Sequence, residues 1–128
     1  MRLLLDTHAI LWFLANAPKL SDRARAAILD PANTRWASPI SLLEIALKNR
    51  IGKLPLPDPF GVMFPASLTA SDIHLLPLEP EHIEPLTWLP MHHRDPFDRL
   101  LAATAMVEGL SLVSADAAFD AYGLTRHW

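Results

Sequence analysis

Residues 95–116 read DPFDRLLAATAMVEGLSLVSAD and predict a helix followed at once by a buried strand. The Asp-Pro pair at the start is typical of a helix N-cap and first helical residue, and Gly109 is a typical helix stop. The apolar run Leu110–Val113 then predicts a strand. Two acids, Asp98 and Asp116, lie at the two ends of this unit, so the segment that indicates the fold also carries charges that the fold must accommodate.

Alternating apolar runs and cap signals divide the rest of the chain in the same way. Many boundaries fall at the 12 prolines, because proline starts helices in the first turn and breaks them elsewhere. Strands are predicted at Leu3–Leu5, Arg35–Ala37, Ile73–Leu76, Leu110–Val113 and Leu124–His127, and helices at His8–Ala15, Ser21–Ile28, Pro39–Arg50, Asp58–Ser71, Pro80–Leu86 and Pro96–Glu108. This alternation indicates a parallel sheet covered by helices on both faces. The length of 128 residues suits a single domain, residues 1–128.

The composition excludes several classes of protein. Hydrophobic residues make up 51% of the chain, which excludes a disordered protein, and there is no cysteine for disulfides or thiolate metal sites. Asp6 and His8 interrupt the apolar N-terminus, so we expect neither an export signal nor a membrane span, and a cytoplasmic protein. The net charge of −3 differs from the basic excess of most nucleic-acid-binding proteins.

Two carboxylates follow predicted strands. Asp6 comes directly after Leu3–Leu5, and two residues separate Asp116 from the end of Leu110–Val113. Ligands of parallel sheets bind beyond the carboxyl ends of the strands. We therefore expect both acids at the same edge of the sheet.

Helical phase adds two more acids to this edge, because successive helical residues advance by about 100°. In the helix Pro39–Arg50, Glu44 falls inside an apolar stripe. The members of the stripe are Ile40, Leu43, Leu47 and Ile51. Asp98 in turn shares its helix face with small or apolar residues, which are Leu101, Ala102 and Ala105. Glu44 and Asp98 are therefore both expected to face the sheet.

Converging carboxylates require a cation, because each negative charge raises the pKa of its neighbours. A hard divalent cation such as Mg²⁺ is the natural partner of several carboxylate oxygens. The sequence therefore predicts one metal site made of Asp6, Glu44, Asp98 and Asp116, with Asp6 and Asp98 as the principal ligands. Outside these four acids, basic residues outnumber acidic ones by 11 to 10, which weakens the argument from net charge against a nucleic-acid substrate.

The motifs resemble those of PIN-domain proteins, and more narrowly the VapC-type toxins of prokaryotic toxin–antitoxin pairs. The resemblance rests on LLLDTHAILW, SPISLLEIALK, HHRDPFDRLLAATA and GLSLVSADAAFDAYG, which follow one another in the expected order along almost the whole chain. It implies a three-layer α/β/α sandwich with a mainly parallel sheet and Mg²⁺- or Mn²⁺-dependent cleavage of RNA by metal-activated water. It also implies a homodimer and a cognate antitoxin. By position it assigns the acidic site to Asp6, Glu44, Asp98 and Asp116, with Thr7 and Ser114 beside it.

Other residues near these motifs have simpler interpretations. Asp95 is most simply an N-cap, and His8 packs against or caps the first helix. His92 and His93 are expected to be loop residues without a catalytic role, because two-metal chemistry needs no imidazole. Trp12 and Phe13 suit a core or a dimer face better than base stacking. The basic residues that could contact phosphates around the cleft are Lys48, Arg50, Lys53, Arg94 and Arg99.

Several alternatives can be compared with this interpretation. A phosphatase with Asp6 as nucleophile would need a second Asp two residues on, where this chain has His8. A phospho-accepting receiver domain would need an acceptor Asp after a mid-chain strand and a late Lys, and neither is present. A PIN-domain RNase without a toxin role stays open, as does a metal-stabilised binding module without activity, and only a measurement of activity separates these.

Overall fold

The computed structural model describes all residues from Met1 to Trp128, which form an α/β fold on a five-stranded sheet. The strands are β1 (Arg2–Leu5), β2 (Thr34–Ala37), β3 (Ile73–Leu75), β4 (Ser111–Val113) and β5 (Arg126–His127). Their order across the sheet is β3-β2-β1-β4-β5, and every neighbouring pair is parallel. The predicted parallel sheet is confirmed, and the strand that starts the chain lies at its centre.

Helices connect the strands and cover both faces of the sheet, which confirms the three-layer sandwich. They are α1 (Thr7–Leu14), α2 (Asp22–Leu29), α3 (Pro39–Arg50), α4 (Phe60–Met63), α5 (Ala66–Ala70), α6 (Pro80–Ile83) and α7 (Pro96–Glu108). Two 3₁₀ helices span Glu84–Thr87 and Ala117–Tyr122. None of these helices combines the length and the apolar character that a membrane crossing requires.

The central strand contributes to a separate hydrophobic cluster on each face of the sheet. Leu3 and Leu5 belong to the cluster that contains Ile10 of α1, while Leu4 belongs to the cluster that contains Leu101 of α7. All three leucines are fully buried. Burial on both faces explains why β1 is a continuous apolar run and does not alternate with polar residues.

The single helix predicted over residues 58–71 is wrong. The chain instead forms the short helices α4 and α5, and Phe64 between them is extended, with φ −119° and ψ 136°. Pro65 is the cause, because the proline ring disfavours helical backbone in the residue before it. The helical pattern was real, but the proline divides it.

The prediction that the apolar stripe of α3 faces the sheet is also wrong. Leu43, Leu47 and Ile51 are 46%, 51% and 63% exposed. The buried face of α3 consists of Ile40, Ser41, Glu44 and Ile45. The helix packs against α1 and α7 through this mixed face. Apolar periodicity could not reveal this, because an exposed apolar stripe has the same spacing as a core-facing one.

Candidate metal centre

The four predicted acids line one cavity at the carboxyl edge of the sheet. Asp6 follows β1 and Asp116 follows β4, while Glu44 and Asp98 reach the same space from α3 and α7. The cavity has a volume of about 170 Å³, and Asp95 is a fifth carboxylate on its wall. Residues that are up to 110 positions apart in the sequence are therefore neighbours in the fold.

Asp6 is held in place by the helix that it caps. Its Oδ1 accepts a hydrogen bond of 2.8 Å from the backbone N–H of Ala9, and its own N–H donates to the carbonyl of Val113. Burial raises the pKa of Asp6, although hydrogen bonds from Ser114 and Ala9 act in the opposite direction. The carboxylate therefore sits at a rigid point where a strand ends and a helix begins.

The carboxylate of Asp98 forms no hydrogen bond or ion pair within the protein. Burial, and after it the negative charge of Asp95, raises the pKa of Asp98 to about 6, although the charge of His93 acts in the opposite direction. The predicted orientation is confirmed, because Leu101, Ala102 and Ala105 on its helix face are all buried. The first turn of a helix favours an acid, but here that effect does not outweigh the desolvation.

Both carboxylate oxygens of Glu44 have partners within the protein, and one of these partners is a lysine. The Thr7 hydroxyl donates to Oε1 at 2.6 Å and lies 3.1 Å from the Ser41 hydroxyl. Lys48, one helical turn further on, forms an ion pair with Oε2. The hydrogen bond to Glu44 raises the pKa of Lys48. The predicted hydroxyl neighbour Thr7 thus ties α1 to the buried face of α3.

Asp116 is the most exposed of the four, with 45% of its side chain accessible. Its Oδ1 caps a 3₁₀ helix by accepting from the N–H of Ala118 at 2.9 Å, and its own N–H donates to the Ser114 hydroxyl at 3.0 Å. Partial burial favours a higher pKa, but the hydrogen bond from His93 and that from Ala118 hold the pKa of Asp116 below its usual value.

His93 is the residue whose position the sequence did not reveal. It is only 8% exposed, and its Nε2 lies 2.7 Å from Oδ2 of Asp116. Its Nδ1 lies 3.0 Å from the hydroxyl of Tyr122, which also accepts from the His93 backbone N–H. One ligand atom each from His93, Asp98 and Asp116 falls within 4.8 Å of the others. The available signal was its place in HHRDPFD, immediately before α7.

Other candidates have structural contacts that explain them. Asp95 caps α7 as predicted. His92 is exposed and its ring contacts Tyr122 edge-on, with 4.9 Å between the centroids. Arg99 donates to the carbonyl of Leu89 at 2.9 Å, so it anchors the loop before α7 and is not among the residues of the cavity wall.

The donor set of the cavity fits a hard divalent cation. Five carboxylates line it, and Lys48 is the single lysine or arginine among the lining residues. Carboxylate oxygens are the ligands that Mg²⁺ and Mn²⁺ prefer. Since Lys48 is already paired with Glu44, the acids that a cation would join are Asp6, Asp98 and Asp116.

Residues 3–124 match the PIN domain family, and the chain therefore belongs to it. Among solved structures, VapBC2 from Rickettsia felis, bound to a DNA fragment from its promoter, is 20% identical with a TM-score of 0.68, over 98% of this chain and 97% of that one. VapBC-1 from nontypeable Haemophilus influenzae is 18% identical with a TM-score of 0.64, over 98% and 96%. FitAcB from Neisseria gonorrhoeae is 21% identical with a TM-score of 0.57, over 97% and 95%. At these identities the likeness concerns the fold. No curated protein sequence matches the chain.

Proposed function

We propose that this PIN-domain protein is a metal-dependent endoribonuclease, the VapC-type toxin of a toxin–antitoxin pair. The observation that carries the proposal is the convergence of Asp6, Glu44, Asp98 and Asp116 on one cavity. The names of its structural neighbours, VapBC and FitAcB, support a toxin role. A protein that acts on the RNA of its own cell would work in the cytoplasm.

Asp6, Asp98 and Asp116 would hold the cation, for which Mg²⁺ and Mn²⁺ are the candidates. When bound, such a cation supplies a nucleophile from water at neutral pH and stabilises the charge of the phosphate. The chain prepares the site in three ways. Asp6 is fixed by the N-terminus of α1, His93 orients Asp116, and Lys48 with Thr7 holds Glu44 at the cavity wall.

The proposal includes two protein partners. The exposed apolar face of α3, formed by Leu43, Leu47 and Ile51, supports a homodimer, because such faces mark interaction surfaces. A cognate antitoxin that blocks the acidic cavity is the second partner. Both can be tested separately from the activity, by the mass of the purified protein in solution and by co-purification with the product of an adjacent gene.

The test of activity is cleavage of RNA by the purified protein. We expect cleavage with Mg²⁺ or Mn²⁺, none with a chelator, and none with the variants Asp6→Asn and Asp98→Asn. Asp22→Asn is the matched control, since Asp22 is an exposed acid in the first turn of α2. Metal binding without cleavage would identify a binding module and contradict the proposal.

The toxin role has its own test. Expression should arrest growth, co-expression of the partner gene should restore it, and Asp98→Asn should abolish the arrest. Cleavage in vitro without growth arrest would instead identify a PIN-domain RNase with another role. Mapping the new 5′ ends of cellular RNA after induction would then identify the target.

A further inference from the structure

We infer that Tyr122 fixes the hydrogen of the His93 ring on Nε2, which keeps His93 from binding the metal and leaves the proposed cation site to carboxylates. The inference rests on the proposed function and concerns which cations that site favours. Tyr122 is not among the residues that line the cavity. It acts through His93 and is therefore a positioning residue for metal specificity.

Position alone would allow His93 to bind a cation. One ligand atom each from His93, Asp98 and Asp116 falls within 4.8 Å of the others, and Nε2 is the nitrogen that faces Asp116. Imidazole nitrogen suits Zn²⁺ and Ni²⁺, whereas Mg²⁺ and Mn²⁺ prefer oxygen ligands. Whether Nε2 has a free lone pair therefore decides which cations the site favours.

The hydroxyl of Tyr122 makes both of its hydrogen bonds to His93. Its oxygen accepts the backbone N–H of His93 at 3.1 Å and lies 3.0 Å from Nδ1 of the same residue. A backbone N–H can only donate, so the hydroxyl keeps its own hydrogen for Nδ1. Nδ1 is then an acceptor, and in a neutral imidazole the ring hydrogen is on Nε2.

Asp116 requires the same arrangement at the other ring nitrogen. Its Oδ2 lies 2.7 Å from Nε2 of His93. An ionised carboxylate only accepts hydrogen bonds, so Nε2 must donate. The two partners therefore select the same tautomer, in which Nε2 has no lone pair for a metal.

One short segment of the chain supplies both partners. Asp116 is the N-cap of the 3₁₀ helix Ala117–Tyr122, and Tyr122 is the last residue of that helix. The Tyr122 ring is parallel to the His93 ring within 9°, with 5.6 Å between the centroids, and the Phe119 ring lies 4.5 Å from His93. These aromatic contacts restrict rotation of the imidazole, so each nitrogen keeps its partner.

His82 has the same arrangement with a partner that can only donate. Its Nδ1 accepts the backbone N–H of Glu79 at 2.9 Å, and its Nε2 lies 2.6 Å from Oε1 of Glu108. Histidines that bind metals usually donate their second ring N–H to a carbonyl or a carboxylate. Because both histidines face a donor at Nδ1, neither is prepared to bind a metal through Nε2.

Tyr122→Phe isolates this role, because it keeps the aromatic ring and removes only the hydroxyl. Water that enters the vacated space can accept a hydrogen from Nδ1, which leaves Nε2 free to bind a metal. The carboxylates of the cavity are unchanged. We therefore expect the variant to gain affinity for Zn²⁺ relative to Mn²⁺.

The first test is ¹⁵N NMR of the histidine rings in the metal-free protein at about pH 8 and after addition of Zn²⁺, which is diamagnetic. In the wild type, the hydrogen of His93 should be on Nε2 in both states. In Tyr122→Phe with Zn²⁺, the hydrogen should be on Nδ1 and Nε2 should be bound to the metal. His82 is the internal control, and its hydrogen should stay on Nε2 throughout.

The second test measures the affinities for Zn²⁺ and Mn²⁺ by calorimetry without RNA. Tyr122→Phe should raise the ratio of Zn²⁺ affinity to Mn²⁺ affinity by about tenfold, the lower end of the effects of residues that support metal sites. The gain should disappear in Tyr122→Phe/His93→Gln, because the imidazole is its source. Thr87→Val is the matched control and should leave the ratio unchanged, since its hydroxyl bonds to the carbonyl of Glu84 away from the cavity wall.

The outcomes separate this inference from the proposed function. A hydrogen on Nδ1 of His93 in the wild type, with or without Zn²⁺, overturns the inference, and the wild-type spectra decide this even if the variant is unstable. An unchanged metal preference in Tyr122→Phe also overturns it, as does a gain that persists when His93→Gln is added. None of these measurements uses RNA, so a failure to cut RNA would contradict the proposed function while the inference stands.

Discussion

A buried histidine bonds to a carboxylate near each end of α7, and the two ends differ in how their negative charges are compensated. At the C-terminal end, Glu108 lies 2.6 Å from Nε2 of His82 and 3.8 Å from the guanidinium of Arg2. At the N-terminal end, His93 bonds to Asp116, but the Asp98 carboxylate beside them has neither a hydrogen bond nor an ion pair within the protein. The carboxylate at the C-terminal end of α7 therefore has two basic partners, whereas the carboxylates at the N-terminal end outnumber the basic groups around them.

The difference indicates which pair is structural. His82 accepts the backbone N–H of Glu79 through Nδ1, so its Nε2–H donates to Glu108 and both ring nitrogens are used within the protein. His93 likewise uses both nitrogens, but the carboxylate it holds lines a cavity with four other acids. Uncompensated buried carboxylates cost stability, so their persistence at one end of α7 points to a ligand that supplies the charge.

The largest expected effect comes from removing one carboxylate at each end of α7. Asp98→Asn should lower kcat by more than a hundredfold, since loss of a direct ligand costs more than the roughly 10–100-fold that loss of its supporting residue costs. Glu108→Gln should leave kcat within about twofold and lower stability. Steady-state kinetics with Mg²⁺ and thermal unfolding measure both. Equal kinetic effects of the two variants would show that the ends of the helix do not differ as we infer.

The two histidines give the next largest contrast. His93→Gln should reduce activity by about 10–100-fold and raise the Mg²⁺ concentration for half-maximal rate, because Asp116 loses the residue that orients it. His82→Gln should keep the Mg²⁺ dependence and lower the free energy of unfolding by about 1–3 kcal/mol. A Mg²⁺ titration of both variants checks this. An unchanged titration in His93→Gln would exclude a positioning role.

Divalent cations should stabilise the protein only by binding the carboxylates at the N-terminal end of α7. At ten times its Kd, a cation that binds only the folded state adds about 1.4 kcal/mol to the free energy of unfolding. Denaturant unfolding with and without Mn²⁺ should show this in the wild type and in Glu108→Gln. The same increase in Asp98→Asn would mean that the cation binds elsewhere.

A third histidine, His127, has no carboxylate partner and gives the smallest effect. Burial, with the charge of Arg23, lowers the pKa of His127. The unfolded chain then takes up a proton more readily, so this contribution to stability is present above about pH 6.5 and is lost as the pH falls through the lower folded pKa. Urea unfolding between pH 8 and 5 should therefore show that the free energy of unfolding falls less with decreasing pH in His127→Gln than in the wild type. Parallel pH profiles would contradict the assignment.

Local rules correctly predicted most of the helices and strands and the edge of the sheet at which the acids lie. The ends of the predicted strands correctly placed Asp6 and Asp116 at one edge of the sheet, and the helical phase correctly predicted that Asp98 faces inward. Both predictions succeeded because each depends only on residues a few positions away in the sequence. Glu44 was placed correctly from a stripe that is itself exposed, so there the conclusion was right and its reason wrong. The exposed leucines show that apolar spacing identifies a face but not what covers it.

The sequence by itself determined the parallel α/β fold, the caps and the list of acids, since periodicity, proline and cap residues act within one or two turns of chain. Only the tertiary structure shows that His93 bonds to Asp116, that Lys48 forms an ion pair with Glu44, and that all three lysines line the same groove as Trp12. These contacts join elements far apart in the chain, and their geometry depends on how helices pack on the sheet. The interaction between two charges depends on their distance in the folded protein, so the sequence alone could not predict which acids have basic partners.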